Sequence, residues 1–418
     1  MNLVNVALVV GAGAVVVLVL FSERLSSWSL PAPLLAVVIG AAIGPHALDA
    51  IPFDRLAEYR DPLLTEGSRI ALGVGLVGVA LRLPHGYWQA NWRWIAGIIG
   101  AGMAVMWLTA AGLLVAVGLP LTIALLVGAM LTPTDPITTT PVVTGTNAEK
   151  YVPDRVRFNL SGESGVNDGL GFLFVMLPLL LLTVETPGDA WGQWFLDVVL
   201  WKVLGAAALA AGAGAVFGKA YVACRHRGYL DDGSLLIVAI PVGLFMLGLL
   251  KLLGTDGILG VFVTAAVFGQ VVGQSSENVQ DTVADALTRL LMIPLFLLFG
   301  VFLPFPAWSA LSPVLLLGLA AAVFVRRALA VWLVSPVYRR LHTRPELAFM
   351  SWFGPIGVSA LYYAMDAAGR LGDERIFAYV SFAIAVSVVA HGLSTVPLSR
   401  WLSTYNSRTT ETAAGERY

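Results

Sequence analysis

Apolar runs of roughly 20 residues recur from one end of the chain to the other, each long enough to cross a bilayer core of about 30 Å. Of the 418 residues, 58% are hydrophobic and only 12% are charged, and the mean hydropathy is +0.81. A soluble domain of this length carries roughly twice that share of charge. The expectation is an all-α polytopic membrane protein. Leu3 to Phe21 lacks a basic leader and a small-residue cleavage site, so it reads as a retained first helix rather than a signal peptide. Cys224 is the one cysteine, which excludes an internal disulfide framework and argues against a Cys-rich metal site. The net charge of −1 comes with no basic stripe of the kind that binds nucleic acid.

Hydropathy divides the chain into about thirteen spans. Their approximate limits are 3–21, 30–48, 64–83, 93–117, 119–145, 157–182, 195–219, 233–251, 255–272, 284–303, 309–338, 346–368 and 375–402. Together they make one membrane domain over residues 1–402, with a short polar tail over 403–418. Lys and Arg collect in alternate loops: Arg82 and Arg93; Lys150, Arg155 and Arg157; Lys219, Arg225 and Arg227; Arg339, Arg340 and Arg344. The loop after the sixth span carries Glu185 and Asp189 instead. The positive-inside bias therefore puts the basic loops and the C-terminus in the cytoplasm and the N-terminus outside.

Two spans are interrupted. The fifth contains Thr132-Pro133-Thr134-Asp135-Pro136, and the twelfth contains Gly354-Pro355-Ile356-Gly357. Proline removes a backbone donor and clashes with the preceding turn, so both helices should break there. With 195–219 as a linker helix, 3–182 and 233–402 become two halves of about six helices each, with matching breaks. That is the pattern of an inverted-repeat secondary transporter whose broken helices cross at mid-membrane. Two unrelated proline kinks would leave the same mark.

Asp135 lies about twelve residues before the hydrophilic turn at 147–157, and Asp168 about eleven after it. At 1.5 Å per residue both carboxylates sit about 17 Å deep on adjacent antiparallel helices. An ionised carboxylate at that depth is costly unless it is paired, solvated or bound to a cation. A proton neutralises it, and a bound Na+ offsets the same charge. One site with two mutually exclusive occupants is the chemical basis of antiport.

The neighbours fit a cation site. A broken fifth span frees carbonyls around Thr132 and Thr134, hard oxygen donors suited to Na+ or Li+, and exposes half-helix ends whose partial charge Asp135 can offset. Ser164 and Asp168 share a helix face at i, i+4, with Glu163 and Asn167 alongside. Ser164 reads either as a ligand or as a packing residue. Arg326 and Arg327 lie too deep in the eleventh span to snorkel, and Glu163 is their natural counter-ion. Glu66 and Arg69 can satisfy each other at i, i+3. Asp256 and Glu346 stand at helix starts as caps, Asp366 is near a wet helix end, and the isolated His391 reads as a packing residue.

Taken together, TDP in one broken helix and ESGVND in the next resemble the monovalent cation:proton antiporters of the NhaP/NHE-like branch, over nearly the whole chain. Glu66-Gly67-Ser68-Arg69-Ile70, Gly354-Pro355-Ile356-Gly357-Val358 and His391-Gly392 are especially similar to fungal plasma-membrane Na+/H+ antiporters. The resemblance implies a homodimer of thirteen-helix protomers, each with an interface domain and a moving core, and the expected location is the cell (inner) membrane. It implies that Thr134, Asp135, Ser164, Asn167 and Asp168 surround the ion, with Asp168 the principal carboxylate. It also implies a Glu163–Arg327 ion pair, although adjacent Arg326 leaves the register open. No resident cofactor is expected, only transported Na+, Li+ and H+. Many relatives carry Arg where Ile356 stands, which leaves open how that break is compensated. ND in place of DD implies one charge fewer, and hence electroneutral exchange. K+/H+ exchange is the close alternative. A cation channel lacks a repeated filter loop, and an intramembrane aspartyl protease lacks its motifs around the two aspartates.

Overall fold

The computed structural model describes residues 3–21, 24–25, 28, 30–50, 53–135, 138, 140–230, 234–273, 277–337 and 343–415. Pro136, Arg339 and Arg340, each invoked above, lie outside the described residues. All regular structure among the described residues is helical. In chain order the principal helices are α1 (Leu3–Leu20), α2 (Ala32–Ile43), α3 (Arg60–Arg82), α4 (Tyr87–Ala116) and α5 (Leu121–Leu131). Next come α6 (Asp154–Thr183), α7 (Pro187–His226), α8 (Leu235–Leu252), α9 (Gly257–Val272) and α10 (Glu277–Val301). The last four are α11 (Pro313–Val334), α12 (Arg344–Trp352), α13 (Val358–Leu371) and α14 (Glu374–Gly415).

Seven of these segments are long and apolar enough to cross a membrane alone, and shorter apolar helices accompany them. The expected fifth span is α5 followed by irregular chain, and the expected twelfth is the pair α12 and α13. Both breaks fall at the proline-containing motifs. α5 stops at Leu131, just ahead of Pro133, and residues 353–357 around Pro355 are non-helical. The expected linker helix over 195–219 is longer, running Pro187–His226 for 40 residues with a π-helical stretch at Trp194–Gly205. The last helix runs on past residue 402 into the polar tail. α14 continues to Gly415, because no proline or glycine after Pro397 interrupts it before that residue.

Close helix contacts depend on small residues. Gly214 and Gly218, spaced i, i+4 on α7, let it lie against α9, where a Cβ on Gly214 would meet the Thr264 carbonyl oxygen at 2.5 Å. α6 likewise approaches α9 at Gly169, whose added Cβ would stand 2.5 Å from Leu259 Cα. The buried apolar core runs through α3, α9, α10, α13 and α14, including Leu72, Leu76, Phe262, Phe296 and Phe377. The outer faces of α1 and α7 instead expose Val9, Leu20, Phe195, Leu196 and Trp201. An apolar outer surface with polar groups gathered inside is what a bilayer solvent selects.

Candidate functional site

The two breaks meet. Asp135 N–H donates to the Pro355 carbonyl at 2.9 Å, so the irregular stretch after α5 lies across the one between α12 and α13. Each break exposes helix ends, and the structure provides a compensating group for each kind. α13 points its N-terminus at Asp135: Val358 N–H donates to Oδ2 at 2.8 Å, and the Thr138 hydroxyl donates to the same oxygen at 2.9 Å. A carboxylate at a helix N-terminus offsets the partial positive charge there. The C-terminal carbonyls of the other two half-helices meet Arg326. Its Nη1 donates to Thr132 O at 2.8 Å and its Nη2 to Gly354 O at 2.9 Å. One guanidinium thus joins both breaks and supplies the cation that Ile356 cannot. Ile356 itself is buried, and its N–H donates to Ser387 Oγ at 2.7 Å.

Two glycines make room for these groups. A Cβ on Gly357 would run into the Asp135 carboxyl, and one on Gly354 would run into the Arg327 side chain. The glycines of the GPIG motif therefore leave space that a side chain would otherwise fill.

The register left open between the adjacent arginines is resolved by geometry. Arg327 gives Nη1 and Nη2 to the two oxygens of Glu163, the second at 3.1 Å, and its Nε to Met350 O at 2.7 Å. This is a bidentate fork on a fully buried acid, the arrangement that suits a planar guanidinium. Arg326 faces the breaks instead.

Around the α5 break, Asn167 acts as a staple. Its Oδ1 accepts the Thr134 N–H at 3.1 Å, and its Nδ2 donates to Thr134 Oγ1 at 2.7 Å. The backbone donor forces this amide orientation. Thr134 Oγ1 also lies 3.1 Å from Ser164 Oγ. Thr132, expected to offer a carbonyl to the ion, is engaged on both of its polar groups. Its carbonyl is engaged by Arg326, and its hydroxyl donates back to Gly128 O at 2.8 Å. The carbonyl freed by the break has been taken by a guanidinium.

Asp168 stands apart. Its carboxyl is 0% exposed, yet neither oxygen has a hydrogen-bond donor among the described residues. Asp135 lies close enough to act on it electrostatically, and the Ser359 hydroxyl faces it. The carbonyl of Asp168 is held by the Tyr363 hydroxyl. The structure therefore brings Thr134, Asp135, Ser164, Asn167 and Asp168 into one buried cluster at the crossing, with Glu163 and Arg327 beside it. Sequence reasoning overlooked Ser359, Tyr363, Thr138 and Ser387. The first two follow the GPIG motif at i, i+4 spacing, a signal available once the break is taken as part of the site.

The residues set aside behave as expected. Arg69 pairs with Glu66, which Lys251 also approaches at 3.6 Å. Asp256 caps α9 through Ile258 N–H and Leu259 N–H. Glu346 closes a capping box with Thr343 and pairs with Arg155 at 2.7 Å. His391 is buried against Phe324, Trp352 and Phe353 and bonded to Ser387 and Trp352 O.

Comparison with known proteins agrees with this frame. Residues 11–401 match the family described as sodium/hydrogen exchanger, transmembrane. A Na+/H+ antiporter of Schizosaccharomyces pombe is 27% identical over 433 residues, covering 95% of this chain and 91% of that protein. Na+/H+ antiporter 2 of Zygosaccharomyces rouxii is 29% identical over 408 residues, 89% of this chain but 50% of that protein, so the chain spans half the length of that relative. The K+/H+ antiporter NhaP2 of Shewanella baltica is 26% identical, covering 96% of this chain and 67% of that protein. The fold is shared with the sodium proton antiporter MjNhaP1 of Methanocaldococcus jannaschii at pH 8, with a TM-score of 0.73 over 97% of this chain and 99% of that one at 19% identity. With a family match over nearly its whole length and two broken helices crossing at a buried acid pair, the chain belongs to the sodium/hydrogen exchanger family.

Proposed function

We propose that the chain exchanges Na+ or Li+ for H+ across the membrane by alternating access, with proton and cation competing for Asp168. The observation that carries this reading is the Asp168 carboxyl, fully buried with neither oxygen hydrogen-bonded among the described residues. An ionised carboxylate in that state is costly, whereas a protonated or cation-bound one is neutralised. Asp135 is the second acid. It is fastened to α13 through Val358 N–H and so connects the charge at Asp168 to the position of the broken helix. Thr134 and Ser164 are hydroxyl donors beside the ion, Asn167 orients Thr134, and Glu163 with Arg327 locks α6 to α11.

Several features belong to the same proposal. The two halves, 3–182 and 233–402, act as inverted repeats around α7. The protomer pairs with a second copy in the inner or plasma membrane, with its N-terminus outside and C-terminus cytoplasmic. The exposed apolar face of α7 supports contact with lipid. K+ is the second cargo to consider, because relatives described as K+/H+ antiporters match nearly the whole chain.

The test uses everted vesicles from cells lacking their own antiporters, acidified inside by respiration and followed with a pH-sensitive dye. Added NaCl and LiCl should dissipate the gradient, and Asp168→Ala vesicles should not respond. A response to KCl would extend the cargo to K+. Silence toward all three salts between about pH 6 and 9 would refute the exchange reading.

A further inference from the structure

We infer that Ser359 is an oxygen ligand of the transported cation, contributed by the second broken helix opposite Asp168; this rests on the exchange reading above. Ser359 lies in the first turn of α13, and that turn touches both acids. The preceding residue, Val358, holds Asp135 through its N–H. Tyr363, one turn later on the same face, holds the Asp168 carbonyl through its hydroxyl. Between these two fixed points the Ser359 side chain faces the Asp168 carboxyl.

Ser359 is 1% exposed, and its hydroxyl is directed at the Asp168 carboxyl without closing a full hydrogen bond to it or to any other described residue. A buried hydroxyl without a partner is disfavoured unless something else uses it. Serine in a helix ordinarily resolves this by bonding to the carbonyl four residues back. Here that carbonyl is Pro355 O, which is already taken by Asp135 N–H. Thr134 and Ser164, the hydroxyls already placed beside the ion, are oriented by their bond to each other and by Asn167, whereas Ser359 has no such bond to orient it. Ser359 and Asp168 therefore form a facing pair of oxygens, one neutral and one acidic, that a cation could join to the Thr134 and Ser164 hydroxyls. A hard monovalent cation is suited to such a mixed set of oxygens.

A ligand on α13 also gives the ion a hold on both halves of the site. Asp168 belongs to α6, and Ser359 belongs to the helix that begins at the GPIG break. Binding the cation would draw these elements together, whereas a proton on Asp168 would not need the serine at all. Ser359 should therefore affect cation affinity much more than proton affinity.

The experiment compares wild type, Ser359→Ala, Ser359→Thr and Ser359→Cys in everted vesicles, with Na+-induced thermal stabilisation of each purified protein as a binding readout. Ser359→Ala should raise the half-saturating Na+ and Li+ concentrations about tenfold, with maximal rate within about twofold of wild type. Ser359→Thr keeps the hydroxyl and should stay near wild type. Ser359→Cys keeps the shape but replaces a hard oxygen with a soft sulfur, so it should behave like alanine toward Na+ and Li+. Half-saturation unchanged in Ser359→Ala, or in Ser359→Cys if the alanine variant does not fold, would overturn the assignment. An equal loss of maximal rate and melting temperature in Ala, Thr and Cys variants would make Ser359 a packing residue and overturn it as well. If wild type itself moves no cation, the exchange reading fails. If wild type exchanges and only the Ser359 variants are indifferent, the exchange reading stands without this ligand.

Discussion

Glu163 and Asp168 sit on the same helix, one turn and a half apart, and both are completely buried. Their surroundings are opposite. Glu163 has both oxygens in the Arg327 fork, and that guanidinium is itself tied to Met350 O. Asp168 has no donor on either oxygen among the described residues. Burial alone thus says little about what an acid in a membrane protein does. The inventory of partners separates a charge that is permanently balanced from one that must find its balance in a proton or a cation. The first kind holds the bundle together, and the second can be traded.

The comparison is broken most severely at Asp168. Asp168→Asn keeps the shape and removes the exchangeable charge, so Na+-driven proton movement should fall to the background of vesicles without the protein. The folded state should survive, because no hydrogen bond to that carboxyl is lost, and a melting curve in detergent checks this. Glu163→Ala should act the other way, chiefly on stability. Leaving Arg327 buried without its partner should cost about 3–5 kcal/mol. Replacing both partners with apolar residues should recover much of that loss, as read by thermal unfolding of the single and double variants. Next in size is the pH dependence. With one proton competing for the carboxylate, the half-saturating Na+ concentration should rise about tenfold per pH unit on the acidic limb. A flat dependence measured by initial rates would mean that cation and proton use different groups. The smallest effect is expected at Asp135. Asp135→Asn retains an oxygen to accept Val358 N–H and loses only the charge opposite the α13 N-terminus. Its rate should fall about tenfold, less than that of Asp135→Ala, which also removes the acceptor.

Much of this was legible in the sequence because it depends on local features. Pro133 and Pro355 mark the breaks, and the distances of Asp135 and Asp168 from a common hydrophilic turn place them together. Glu163, Ser164, Asn167 and Asp168 share their helix by simple spacing. The pairing of side chains more than a hundred residues apart was less accessible. Arg326 and Arg327 are consecutive, but successive residues on a helix point about 100° apart. Only the positions of α5, α6 and α12 around α11 send one to Glu163 and the other to Thr132 O and Gly354 O. For the same reason the sequence does not show that the Thr132 carbonyl also accepts from the guanidinium of α11. Ser359 and Tyr363 read as ordinary residues of an apolar helix, since nothing in the chain nearby shows that α13 begins against two acids. The orientation of the loops and the pairing of protomers rest on charge bias and resemblance, which folding within one chain does not reveal.

The most direct measurement is proton release on cation binding by the purified protein. Titrating Na+ into wild type at a pH where Asp168 is partly protonated, in two buffers of different ionisation enthalpy, counts the protons displaced per ion. Competition on a single carboxylate predicts that the protons released per bound Na+ equal the fraction of Asp168 protonated beforehand, rising toward about one as the pH is lowered, with no release in Asp168→Asn. Na+ binding without proton release in wild type, or undiminished release in Asp168→Asn, would contradict the claim that Asp168 is the shared site.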